Sequence, residues 1–204
     1  MKIVQIKRLR PTQATHGRRE VQQKTGEYVA LEGHDLDMAI ASKPIPVVLG
    51  PGGDVFAIDH HHVAAALWAA QIEKAPVVLV SDISSLSVND FWLEMENKRW
   101  TYPYNAHGGR ISFSNMPRHV YELENDEYRS VAGFVRDAGG YEKTTVPLEE
   151  FRWADFFRAN IPLPESDEDF ASAVRHGVNL AKGELAIGLP GFVGPEGKQK
   201  QQPD

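Results

Sequence analysis

Apolar and polar positions alternate over residues 2–9, which predicts a first strand that Pro11 ends. Residues 12–28 are polar and carry Gly17 and Gly26, so the pattern gives an ordered loop or a short helical turn. Residues 35–42 suit a short helix closed by Pro44 and Pro46. An apolar run at 45–49 meets Gly50-Pro51-Gly52-Gly53, and a second run follows at 54–58, the pattern of a hairpin. Asp59 comes next. Residues 60–71 are alanine-rich and predict a helix; 75–80 is β-branched and predicts a buried strand.

Helical signals dominate afterwards. Ser87 and Asp90 stand where a capping pair opens a helix, here running to about Lys98. Residues 102–113 read as a loop. Helices are predicted over 128–137, closed by Gly139-Gly140, over 148–160, and over 166–181, which begins with acids that suit the helix dipole. Strands crowd the first part and helices fill the rest, an α+β pattern. The reading is a small mixed-sheet core over 1–85, a helical part over 86–193 packed on it as one compact unit, and a disordered tail over 194–204.

Composition narrows the function classes. The 204 residues are 42% hydrophobic and 25% charged, as in globular proteins. There is no cysteine, which excludes thiol catalysis, disulfides and thiolate metal sites. No apolar run reaches the ~20 residues of a membrane helix, and the charged start does not read as a signal peptide. A cytoplasmic protein with no membrane partner is expected; oligomeric state is not legible. The net charge of −6 is uneven: residues 1–24 hold seven basic residues and one acid, Glu20. The remainder is strongly acidic, so tight duplex DNA binding is not expected. The basic segment is either a solvated edge or a local anion site.

The chemistry concentrates at Asp59-His60-His61-His62, between a strand and a helix. A helix start leaves N–H groups unpaired and favours a phosphate; Asp59 is placed as the N-cap. Histidines there can donate to phosphate or exchange protons near neutral pH. Consecutive helical positions lie about 100° apart, so three adjacent histidines do not converge on one zinc ion. Packing or capping roles for one or two of them are the plain alternative. His107 and Arg110, beside Gly108 and Gly109, could border a cleft, as could Arg152. His119 and His176 stand singly and read as structural.

The strand, the glycine-rich turn and Ile58-Asp59-His60-His61-His62-Val63-Ala64-Ala65-Ala66 resemble the signature of the ParB/sulfiredoxin superfamily. Its free-serine-kinase-like members read Asp-Gly-His-His-Arg and then alanine. Further stretches resemble the "putative ParB-like nuclease" subfamily in particular. They are Leu9-Arg10-Pro11-Thr12-Gln13, Gly17, Glu20-Val21, Tyr128-Arg129-Ser130, Arg136-Asp137-Ala138-Gly139-Gly140-Tyr141, Glu150-Phe151-Arg152-Trp153-Ala154-Asp155 and Leu189-Pro190-Gly191. The resemblance covers about residues 2–193.

The resemblance implies a ParB/sulfiredoxin-like α+β core with nucleotide phosphates over the start of the His60 helix. It implies a nucleotide-dependent phosphotransferase or nucleotide hydrolase acting on a small molecule, with Mg2+ and ATP or CTP. His60, His61, His62, Arg18 and Arg19 would contact phosphate. Asp59, His61 and His62 would join the catalysis, with Asp59 as cap or holding the metal through water, and Glu20 would be the base for the acceptor hydroxyl. A metal-dependent nuclease and a non-catalytic ligand- or partner-binding module are the alternatives. The chain departs from the motif at His60, where relatives hold glycine, and at Val63, where they hold a phosphate-binding arginine.

Overall fold

A computed structural model describes residues 2–194. The tail expected from residue 194 onward lies, past Gly194, outside the described residues. The chain divides into two compact units, Met1–Asp126 and Glu127–Asp204.

The first unit opens with β1 (Lys2–Gln5), a 3-10 turn over Ile6–Arg8 and β2 (Leu9–Pro11). Next come β3 (Thr15–His16), α1 (Arg18–Val29), α2 (Gly33–Ala41), β4 (Ile45–Leu49) and β5 (Val55–Ala57). The unit is completed by α3 (His61–Ala69), β6 (Lys74–Asp82), α4 (Val88–Asn97) and β7 (Glu124–Asn125). Five strands form a mixed sheet in the order β1-β6-β4-β5-β2. β1 and β2 are consecutive in the chain yet occupy opposite ends of that order. The four steps from Gln5 to Leu9 span at most about 14 Å. A flat sheet would need about 19 Å for the four gaps between those ends. The sheet is therefore curled.

This corrects the single strand expected over 2–9. Its alternation is divided between β1, antiparallel to β6, and β2, parallel to β5. Ile6 and Leu9 at the junction are fully buried. The hairpin of β4 and β5 holds as predicted, with Gly52 and Gly53 at positive φ in its turn.

The second correction is α1. Residues 12–28 contain a twelve-residue helix, not a loop. Only Val21 and Tyr28 of α1 are fully buried, two turns apart, so the apolar stripe is too sparse to announce a helix. Packing against α3 stabilises it instead: both residues join Val63, Ala64 and Leu67 in one core.

The boundary between the units falls after Asp126, whereas the sequence suggested 85. Phe91, Trp92 and Met95 of α4 share a core with Val48 and Phe56 of the sheet, which draws α4 into the first unit. Phe91 and Phe56 have ring centroids 4.5 Å apart.

The second unit consists of α5 (Glu127–Asp137), α6 (Glu149–Asn160) and α7 (Asp167–Ala181), with a 3-10 turn over Glu184–Ala186. Its own core is built on Val131, Val135, Trp153, Phe157 and Phe170. No helix among the described residues is long and apolar enough to cross a membrane.

Candidate functional site at the shared end of two helices

The site begins with Thr12, just past β2. Its hydroxyl donates to the Ala57 carbonyl at 2.8 Å, and its own carbonyl accepts from the Thr101 hydroxyl at 2.7 Å. Its N–H donates to His61 Nε2 at 3.1 Å. An acceptor nitrogen carries no proton, so the proton of this ring is on Nδ1; the ring also interacts with the Ala57 backbone. Burial lowers the His61 pKa to about 4, against the raising effect of Asp59 and this backbone bond; His60 and His16 lower it further. His61 is 3% exposed. It is a neutral strut that ties β2 and β5 to the start of α3, not a group presented to a ligand. This corrects the phosphate and catalytic roles expected for it.

His60 precedes the helix in the left-handed conformation, φ 57° and ψ 28°. Residues with a Cβ enter this region at a cost that glycine would not bear. Here the His60 ring is held by its Nδ1–H, which donates to the Pro44 carbonyl at 2.8 Å. Asp59 is not the N-cap: its Oδ1 accepts from the N–H of His60 at 2.6 Å, and α3 starts at His61. α3 has no side-chain cap, and the helix itself supplies no acceptor for the N–H groups of its first turn. His62 is half-buried, and its ring meets that of His60 edge-to-face at 6.3 Å. Val63 is 1% exposed within the core, so this position supplies no cation.

The second wall is α1. β3 pairs with β7 in parallel, His16 opposite Asn125, and α1 starts at the next turn with Gly17 as N-cap. Asn125 Oδ1 accepts from the N–H of Arg18 at 2.9 Å. Arg18 is exposed; Arg19 and Glu20 are half-buried in the same first turn. His16 lies close enough to His61 to lower its pKa, so the two helix starts adjoin. Two turns on, the Thr25 hydroxyl reaches the Ala66 carbonyl at 3.5 Å. The two helices thus run parallel, with both positive dipole ends facing the same way. The buried hydroxyl of Thr15, beside His16, has no hydrogen-bond partner among the described residues. His16 was missed from sequence because it stands alone in the chain; tertiary structure brings it to the histidine tetrad.

The remaining sequence candidates lie elsewhere or are committed. Arg10 pairs with Asp54, and Lys24 pairs with Glu27 at 2.8 Å. The basic N-terminal segment is thus dispersed over several elements. Arg110 pairs with Glu96 at 2.7 Å and lies over the Tyr104 and Phe113 rings; its pKa is raised, chiefly by Glu96. His107 is exposed in a turn closed by Asn105, whose Oδ1 accepts from the His107 and Gly109 N–H groups. Arg152 is exposed on α6 of the second unit. No group of three or more His, Asp or Glu placed to hold a metal occurs among the described residues.

The distinctive motifs of the second unit have packing tasks. Glu150 pairs with both Arg129 and Arg136, and Arg129 lies over the Phe151 ring. Tyr141 stacks on Trp153 at 4.2 Å, and Trp153 Nε1–H donates to the Pro190 carbonyl at 2.8 Å. A Cβ on Gly191 would lie 1.9 Å from the Glu142 carbonyl oxygen. These contacts give the arginines, aromatics and Gly191 of these motifs their packing roles.

Comparison with known proteins bears on the fold and the family. No curated protein matches the chain. The crystal structure of protein Atu1540 from Agrobacterium tumefaciens is similar, with 37% identity and a TM-score of 0.87. The match covers 96% of this chain and 97% of that one. The family model described as "Putative ParB-like nuclease" matches residues 2–159. That span exceeds three quarters of the chain, which therefore belongs to the ParB-like nuclease family.

Proposed function

We propose that the first unit binds a nucleotide by its phosphates at the shared N-terminal end of α1 and α3. On this reading the chain is a nucleotide-dependent phosphotransferase or hydrolase acting on a small molecule. The observation that carries the reading is the pairing itself. Two parallel helices open side by side, one without a side-chain cap and the other with Arg18 and Arg19 in its first turn. Aligned dipoles, first-turn N–H groups and two guanidinium groups favour a multiply charged anion.

On this reading the labour is divided among the residues around the two helix starts. His61 holds the end of α3 in place. His60 Nε2 and the His62 ring face the phosphate, and Arg18 and Arg19 supply the charge that Val63 does not. Glu20, one residue past Arg19, is the base for the acceptor hydroxyl. Asp59 is exposed and uses Oδ1 on the backbone. Its second oxygen suits a magnesium ion held through water, which would neutralise charge on the phosphates. Such an ion would take its other ligands from phosphate and water.

Calorimetry with ATP, CTP and the diphosphates, with and without magnesium, tests the reading. Wild type is expected to bind, and Arg19→Ala and His62→Ala to bind about tenfold more weakly, the loss of one charge-assisted hydrogen bond. Magnesium-dependent release of phosphate, abolished by Glu20→Gln with binding retained, would support the transfer reading. No binding by wild type, or variants that bind as well as wild type, would overturn it.

A further inference from the structure

At the other end of α3 the first unit carries an aromatic column on its surface. The Trp68 and Tyr121 rings stack at 4.8 Å and 25°. The Tyr121 and His119 rings stack at 4.8 Å and 8°. Trp68 is 38% exposed and Tyr121 46%, so the column is not part of the core. It is held by its frame: His119 Nδ1–H donates to the Lys7 carbonyl at 3.1 Å, and Glu122 accepts from the N–H groups of Arg118 and His119. That first bond sets the 3-10 turn Ile6–Arg8 against the column. Lys7, Arg8 and Arg118 are exposed, and no ion pair holds any of them among the described residues. Trp68 follows His61 by seven residues, about 10 Å along the helix axis, so this patch is distinct from the helix-start site.

Stacked rings flanked by uncommitted cations match one ligand chemistry closely. Unpaired bases have π-faces to extend the column, and their phosphates pair with the surrounding cations. A duplex stacks its bases on one another and hides the faces that the column would meet. We propose that the column of Trp68, Tyr121 and His119, with Lys7, Arg8 and Arg118, is a binding site for single-stranded nucleic acid.

The test is fluorescence anisotropy of labelled oligo-dT and oligo-U of about 15 nucleotides with the full chain, at about 50 mM salt. Both strands are expected to bind. Trp68→Ala should weaken binding about tenfold, the loss of one stacking platform, and Trp68→Phe should retain most of it. The Lys7→Ala/Arg8→Ala/Arg118→Ala variant should lower the slope of log affinity against log salt by about 2. These residues are exposed, and unchanged circular dichroism of each variant confirms that the fold is kept. No binding at about 100 μM protein, the weak edge of the range of non-specific affinity even at physiological salt, overturns the proposal. So does a Trp68→Ala variant that binds normally, or a duplex that binds as tightly as the single strand. Displacement by poly-glutamate as effective as by oligo-dT also overturns it, and assigns the patch to an acidic partner.

Discussion

The His61 ring offers the sharpest physical test of the site's frame. It is buried, neutral, and an acceptor at Nε2, with its pKa lowered from 6.5 to about 4, mainly by desolvation. In the unfolded chain the ring regains its ordinary pKa. The unfolded state therefore binds the extra proton first as pH falls. A depressed folded pKa contributes stability that is complete above about pH 6.5 and is lost progressively down to about pH 4. At 1.36 kcal/mol per pH unit, the loss from this one ring is about 3 kcal/mol. Carboxylates titrate in the same range, so a reference is needed. His61→Gln keeps an acceptor for the Thr12 N–H and has no titration there. The stability gap between wild type and His61→Gln should shrink by about 3 kcal/mol between pH 7 and pH 4, read by urea unfolding monitored by circular dichroism. An NMR titration of the ring should place its midpoint near 4. A gap constant over that range, or a midpoint near 6.5, would refute the buried strut.

Three further outcomes follow from single contacts. His60→Gly relieves the left-handed backbone but loses the bond to Pro44, so melting should change little, whereas His60→Val should lose about 1–2 kcal/mol or more. Glu150→Ala removes the carboxylate that pairs with both Arg129 and Arg136; a loss of about 2 kcal/mol is expected in chemical denaturation of the second unit. Gly191→Ala sets a methyl against the Glu142 carbonyl at positive φ, and should lower the melting temperature of that unit more than Gly188→Ala, which meets no neighbour.

The parts of the fold legible in the sequence are those whose signal is local. The β4–β5 hairpin, α3, β6 and the three helices of the second unit each carry periodicity, turn glycines or caps within their own residues. Ser87 and Ser166 cap α4 and α7 through the N–H groups of Asp90 and Asp169. The parts that were not legible depend on distant partners. α1 is stabilised by α3, and the two-residue strands β3 and β7 exist only through each other. The site follows the same rule. Asp59-His60-His61-His62 marked the place, because three histidines at a strand–helix junction are unusual. Their division of labour was hidden: His61 turns inward because Thr12, far away in sequence, presents an N–H to it. Asp59 misses the cap because His60 adopts the left-handed conformation and delays the helix by one residue.

An anion held where α1 and α3 begin together is the proposal on which the other proposed roles depend. Amide chemical-shift mapping of the 15N-labelled chain, titrated with a nucleoside triphosphate, tests it most directly. The largest shifts are expected at the amides of Arg19, Glu20, His62 and Val63, saturating together, with the Trp68 and Tyr121 amides unmoved. Saturable shifts confined to other elements, or none at millimolar nucleotide, would contradict it.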